Sequence, residues 1–139
     1  MRGKTVVVGL LLSVALLGGR AWAQAVGFQA ATVLQASATA AGQPSQFPLF
    51  RNQITAFQVT IGPGGQSGRH MHPAPFFLYV LEGELTYELD GQPAKVYRAG
   101  EAFVEGVKIW HNATNRGGVP LKFLAVLLGE EGVPVTIRP

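Results

Sequence analysis

RHMHPAPFFLYVLEGELTYELDG, residues 69–91, holds two of the chain's three histidines, followed by two short apolar runs split by Glu82-Gly83-Glu84. In the second run Leu85, Tyr87 and Leu89 fall on one face and Thr86 and Glu88 on the other, the period of two of a half-buried strand. Asp90-Gly91 then supplies a tight hairpin turn. Glu88 accordingly reads as a solvated surface charge. The first run, FFLYVL at 76–81, has strand length and strand composition.

The same texture extends along the chain. ITAFQVTI, AKVYR, AFVEGVKIW and PLKFLAVLL are short apolar runs punctuated by GPGGQSG, AGE, HNATNRGG and GEEG. No segment has a long helical period. Strands this short and this closely spaced predict a small all-β barrel or sandwich over residues 47–139, a single domain. The aromatics Phe76, Phe77, Tyr79, Phe103, Trp110 and Phe123 are read as its core filling. Residues 24–46 carry no charge and are rich in Ala, Gln, Ser and Thr. They are expected to form an extended or partly disordered arm, with a short strand around Thr32–Gln35.

Residues 1–23 read as a secretory signal peptide. Arg2 and Lys4 precede an apolar run from Val6 to Leu17, and Ala21-Trp22-Ala23 offers a small-x-small cleavage site. The run is shorter than the roughly 20 apolar residues a membrane helix needs. The expected location is periplasmic or secreted. Cleavage removes three of the eleven basic residues, leaving eight against eight acidic ones and no net charge. Nucleic acid and anionic membrane are therefore not expected partners. The chain has no cysteine, so packing, a metal or association must stabilise it.

His70 and His72 stand two residues apart, so in extended backbone both point to one face and Met71 to the other. Such a pair is a natural grip on a divalent ion, and a neighbouring strand can add a third nitrogen. His111 is the only other histidine. A shell of hydrogen-bonded imidazoles without metal is the bland alternative.

These residues and their spacing resemble the cupin superfamily, whose motifs are G-x5-H-x-H-x3/4-E-x6-G and G-x5-P-x-G-x2-H-x3-N. Gly64, His70, His72 and Gly83 match the first. Gly100, His111 and Asn115 match the second, with ten residues rather than two between glycine and histidine and without the proline. The resemblance covers about residues 47–128. It implies a small β-barrel, the double-stranded β-helix or jelly roll, with one divalent metal ion inside, held by His70, His72 and His111. Iron, manganese, nickel, copper and zinc all remain open. It also suggests a homodimer, since small cupins often pair through their strands.

One departure bears on the chemistry. Phe76 and Phe77 stand where the family's glutamate ligand belongs. Glu105, six residues before His111 in an otherwise apolar run, is the candidate for a fourth ligand, a group orienting a ligating histidine, or a base; the alternative is a rim carboxylate. Phe76 is expected to line an apolar substrate pocket beside the metal, and Gln58 to point into it from the preceding strand. The functional expectation is a metal-dependent enzyme, dioxygenase-like or Lewis-acid, acting on a small organic molecule. The alternative is a non-enzymatic cupin that binds a metal or a small ligand in the periplasm.

Overall fold

The computed structural model describes residues 31–47 and 51–139. The expected signal peptide, 1–23, lies outside the described residues. The described chain is all-β, with seven strands: β1 (Asn52–Ile61), β2 (Phe76–Glu82), β3 (Glu84–Leu89), β4 (Lys95–Arg98), β5 (Ala102–Val104), β6 (His111–Thr114) and β7 (Leu121–Glu130). They form a four-stranded sheet in the order β1-β7-β2-β5 and a three-stranded sheet in the order β4-β3-β6, with every ladder antiparallel.

Both sheets present one apolar face to a shared core, as period-two patterning requires. Leu85, Tyr87 and Leu89 supply it from β3, Phe76, Leu78 and Val80 from β2, and Leu121, Phe123, Ala125 and Leu127 from β7. Each Leu, Val or Phe among them contributes about 1.5–3 kcal/mol by leaving water. Tyr87 and Phe103 meet across the core with ring centroids 5.0 Å apart. Phe77, Tyr79 and Trp110 are only half-buried, and Trp110 lies beneath the Arg69 guanidinium at 4.5 Å.

The run AFVEGVKIW does not form one strand. β5 ends at Val104, because Glu105 and Gly106 turn inward and Lys108 adopts a positive φ of 55°. Strand resumes instead in HNAT, which the sequence presents as a turn. There His111 and Ala113 face inward while Asn112 and Thr114 face outward.

The described part of the arm is more specific than expected. Thr32–Gln35 is not strand; its backbone has no ladder partner among the described residues. Residues 37–45 form a turn closed by an Ala38–Pro44 bridge around buried Thr39. This turn docks on the end of β5. Ala40 N–H donates to Val104 O at 2.6 Å, and the Gln43 side-chain amide both donates to Val107 O (2.9 Å) and accepts from Val107 N–H (2.8 Å).

Candidate metal centre

His70 and His111 are brought together by the backbone. Each donates its N–H to the other's carbonyl, at 2.9 and 2.8 Å, an antiparallel pair that places both side chains on one face. His72, two residues on, shares that face and bridges to Val107. All three rings are buried, with centroids 4.5 to 5.1 Å apart. One ligand nitrogen from each lies within 4.8 Å of the others.

Three carbonyls set the tautomers. His70 Nδ1 faces Gly68 O at 2.7 Å, His72 Nδ1 faces Val135 O at 2.7 Å, and His111 Nδ1 faces Ile109 O at 2.9 Å. A carbonyl oxygen only accepts, so each Nδ1 carries a proton, and in the neutral form of each ring the lone pair is on Nε2. The His111 Nε2 is fully buried and has no hydrogen-bond partner among the described residues. Burial lowers the pKa of His70 and of His111, outweighing the backbone hydrogen bond and the nearby Glu105 charge, which favour the protonated forms. Two neutral imidazoles at neutral pH result. An orphaned nitrogen lone pair among three fixed tautomers is the donor set a divalent ion takes, so these residues fit a metal.

Glu105 joins them. It is 4% exposed, with Oε2 3.1 Å from His72 Nε2 and Oε1 3.6 Å from His111 Nε2. Its own N–H donates to Phe76 O at 2.9 Å, so it sits across the β2–β5 ladder from Phe76. Phe76 packs on His72 with ring centroids 4.3 Å apart. Both line a cavity of about 200 Å³ whose walls also include Phe57, Phe123, Leu78 and Val135, with no lysine or arginine. Gln58 is not part of it. Phe57 and Val59 face the cavity, and Gln58 between them is exposed on the opposite side of β1. The expectation for Gln58 is corrected by strand parity.

Sequence reading missed three contributors. Val135 in the C-terminal tail orients His72 through a carbonyl, which no side-chain identity reveals. Gln43 clamps the backbone two residues beyond Glu105. Tyr87 accepts the Gly106 N–H at 3.2 Å, and burial holds its hydroxyl well above the usual tyrosine pKa, so it stays protonated.

The family model described as a cupin domain matches residues 57–127. The chain is a cupin. Solved structures similar to it include the Lactobacillus farciminis oxalate decarboxylase formate complex, at 27% identity and TM-score 0.54 over 61% of this chain and 26% of that one. An arginine-to-alanine mutant of Bacillus subtilis oxalate decarboxylase matches at 22% identity and TM-score 0.54 over 61% and 23%. A third structure, at 23% identity and TM-score 0.53 over the same 61% and 23%, concerns the Mn(II) centres of the Bacillus subtilis enzyme. This cupin spans only about a quarter of those enzymes' length. No curated protein sequence matches it.

The cupin motifs now have physical roles. Gly64, Gly83 and Gly100 all hold φ between +72° and +91°. Counted from the second motif's first glycine, the ten residues between Gly100 and His111 are the motif's own spacing. Gly106 then stands at the proline and Lys108 at the second glycine, where its positive φ shows why glycine suits the position. Asn115 is wholly buried and structural: its amide donates to Ile61 O and Val119 O and its carbonyl accepts from Gly117 N–H.

Proposed function

We propose that this cupin is an exported metalloenzyme that holds one divalent ion on His70, His72 and His111 and acts on a small organic molecule with an apolar body. The observation that carries the metal is the convergence of three imidazoles whose Nδ1 protons are each tied to a carbonyl. The similarity to oxalate decarboxylases, and the Mn(II) centres of one of them, agree with a divalent ion without choosing which. When bound, such an ion supplies Lewis-acid polarisation of a coordinated oxygen.

The chain's own residues shape what can bind. Burial keeps His70 and His111 neutral and available as donors. Phe57, Phe76 and Phe123 exclude water from one side of the site. A second carboxylate, as in oxalate, would meet this wall without a lysine or arginine to pair with, at a cost of several kcal/mol. A monoanionic chelating head on an apolar body suits the cavity better. Arg2, Lys4 and the apolar run to Leu17 support export to the periplasm or beyond. The ten-residue strand β1, at the edge of its sheet with Ile54 71% exposed, supports self-association as a dimer.

The test is to express the full chain in a bacterium and purify it without a metal-binding tag, then read its N-terminus, mass in solution and metal content. About one equivalent of divalent metal in the wild type, with none in His111→Ala, is expected. Absence of metal and of uptake on incubation would overturn the reading. Oxygen uptake and product formation across β-dicarbonyls, phenols and small carboxylates then addresses the substrate class.

A further inference from the structure

We infer that Glu105 is the fourth, anionic donor of the metal centre, a carboxylate delivered from the end of β5 to the place that Phe76 has vacated on β2. The inference rests on the metal reading above and adds the ligand that sets the charge of the site. Its first support is position. Glu105 N–H bonds to Phe76 O, so the two residues are direct neighbours across a ladder, and one side chain can replace the other at the same point.

The second support is an electrostatic conflict. Glu105 is buried, and among the described residues no backbone or side-chain donor gives its carboxylate a hydrogen bond. The basic nitrogens within 4 Å of it are His72 Nε2 and His111 Nε2. Because the His72 and His111 Nδ1 atoms are taken up by Val135 O and Ile109 O, Nε2 is the atom each ring turns toward the carboxylate. One buried carboxylate thus stands 3.1 and 3.6 Å from two imidazole nitrogens, and a single metal ion serves all three donors at once where a proton serves only one nitrogen.

The third support is distance. Two donors about 2.1 Å from one ion stand about 3.0 Å apart at a right angle and about 3.4 Å apart at a tetrahedral angle. The observed 3.1 and 3.6 Å lie within about 0.2 Å of those values. The loop is also held for this task. Gln43 fixes Val107 with two hydrogen bonds, and Tyr87 receives the N–H of Gly106, so the residues directly after Glu105 are anchored from two other parts of the chain. With Glu105 bound, a divalent ion keeps one net positive charge, which a monoanionic substrate head neutralises.

The experiment uses the full chain loaded with cobalt(II) or manganese(II), reading affinity by titration and the ligand field by cobalt(II) visible absorption. Glu105→Gln is expected to bind at least about 100-fold more weakly, the upper end of what even an indirect partner of a ligand costs, and to shift the absorption. Should Glu105→Gln fail to fold, Glu105→Asp keeps the carboxylate one methylene short and is expected to change the spectrum. Wild type that binds metal, with variants of unchanged affinity and unchanged spectrum, overturns the role of Glu105 and leaves the three-histidine centre standing. Wild type that takes up no metal overturns the metal reading itself.

Discussion

Each of the three histidines is held by a carbonyl behind it, and that contact, more than the spacing of His70 and His72, makes the site ready for a cation. The Nδ1 protons donate to Gly68 O, Val135 O and Ile109 O over 2.7 to 2.9 Å. In the metal-free protein at neutral pH, nitrogen-15 NMR of the imidazoles is therefore expected to show His70 and His111 neutral with the proton on Nδ1. A protonated Nε2 on either residue would defeat the tautomer argument. The histidines themselves were legible because they are scarce and spaced at the period of a strand. Gln58 was misread because its strand lies at the sheet edge, where nine of ten residues are exposed or half-buried and apolar character no longer marks the inner face. Gln43 acts on the backbone of Val107 and Val135 acts through its own carbonyl, and no local pattern announces either.

The turns and short strands place those residues. Gly83 joins β2 to β3 with φ of +76°, and a Cβ there would stand 2.7 Å from Pro120 O, a backbone atom that cannot swing aside. Gly83→Ala is expected to destabilise the fold by about 1–3 kcal/mol from backbone strain, before any clash is added. A denaturant midpoint unchanged from wild type would show that the turn can be remade. On the outer face of β3 and β6, Glu88 accepts hydrogen bonds from Thr114 and Asn112 and pairs with Arg116. Partial desolvation raises its pKa, but these three partners together outweigh it and hold the carboxyl below its ordinary 4.5. The stabilisation is therefore present above pH 4.5 and lost as pH falls through the lower folded value. The difference in Tm between wild type and Glu88→Gln should exist at neutral pH and close in acid; a gap constant with pH would contradict it. Element existence was legible for β1 to β4 and β7 as short apolar runs bounded by turn residues. β6 was hidden because its inward residues are a histidine and an alanine, and β5 was overextended because AFVEGVKIW is apolar on both sides of Glu105, so nothing local marks that the strand stops at Val104.

At the scale of the whole molecule the site is a junction. His70 and His72 lie on the segment that enters β2 of the four-stranded sheet, and His111 opens β6 of the three-stranded sheet. Val135 of the C-terminal tail holds His72, and the tail's Ile137 pairs with Met71 by two backbone hydrogen bonds, at 3.0 and 2.9 Å. A single ion would thus tie both sheets and the tail together, a cross-link for a chain that has no cysteine. The architecture of short strands and the superfamily were readable from turn glycines and motif spacing; this convergence was not, since it depends on which loop ends meet in space. Mass action then sets the size of the effect. Metal at a hundred times its dissociation constant adds about 2.7 kcal/mol to the folded state. At about 4 °C per kcal/mol for a domain of this size, Tm should rise by roughly 10 °C. A chelator should reverse the rise, and His111→Ala should show neither response. If loaded and stripped wild type melt at the same temperature while metal analysis shows one equivalent bound, the ion binds the unfolded chain as well as the folded one, which a site assembled from both sheets and the tail cannot do.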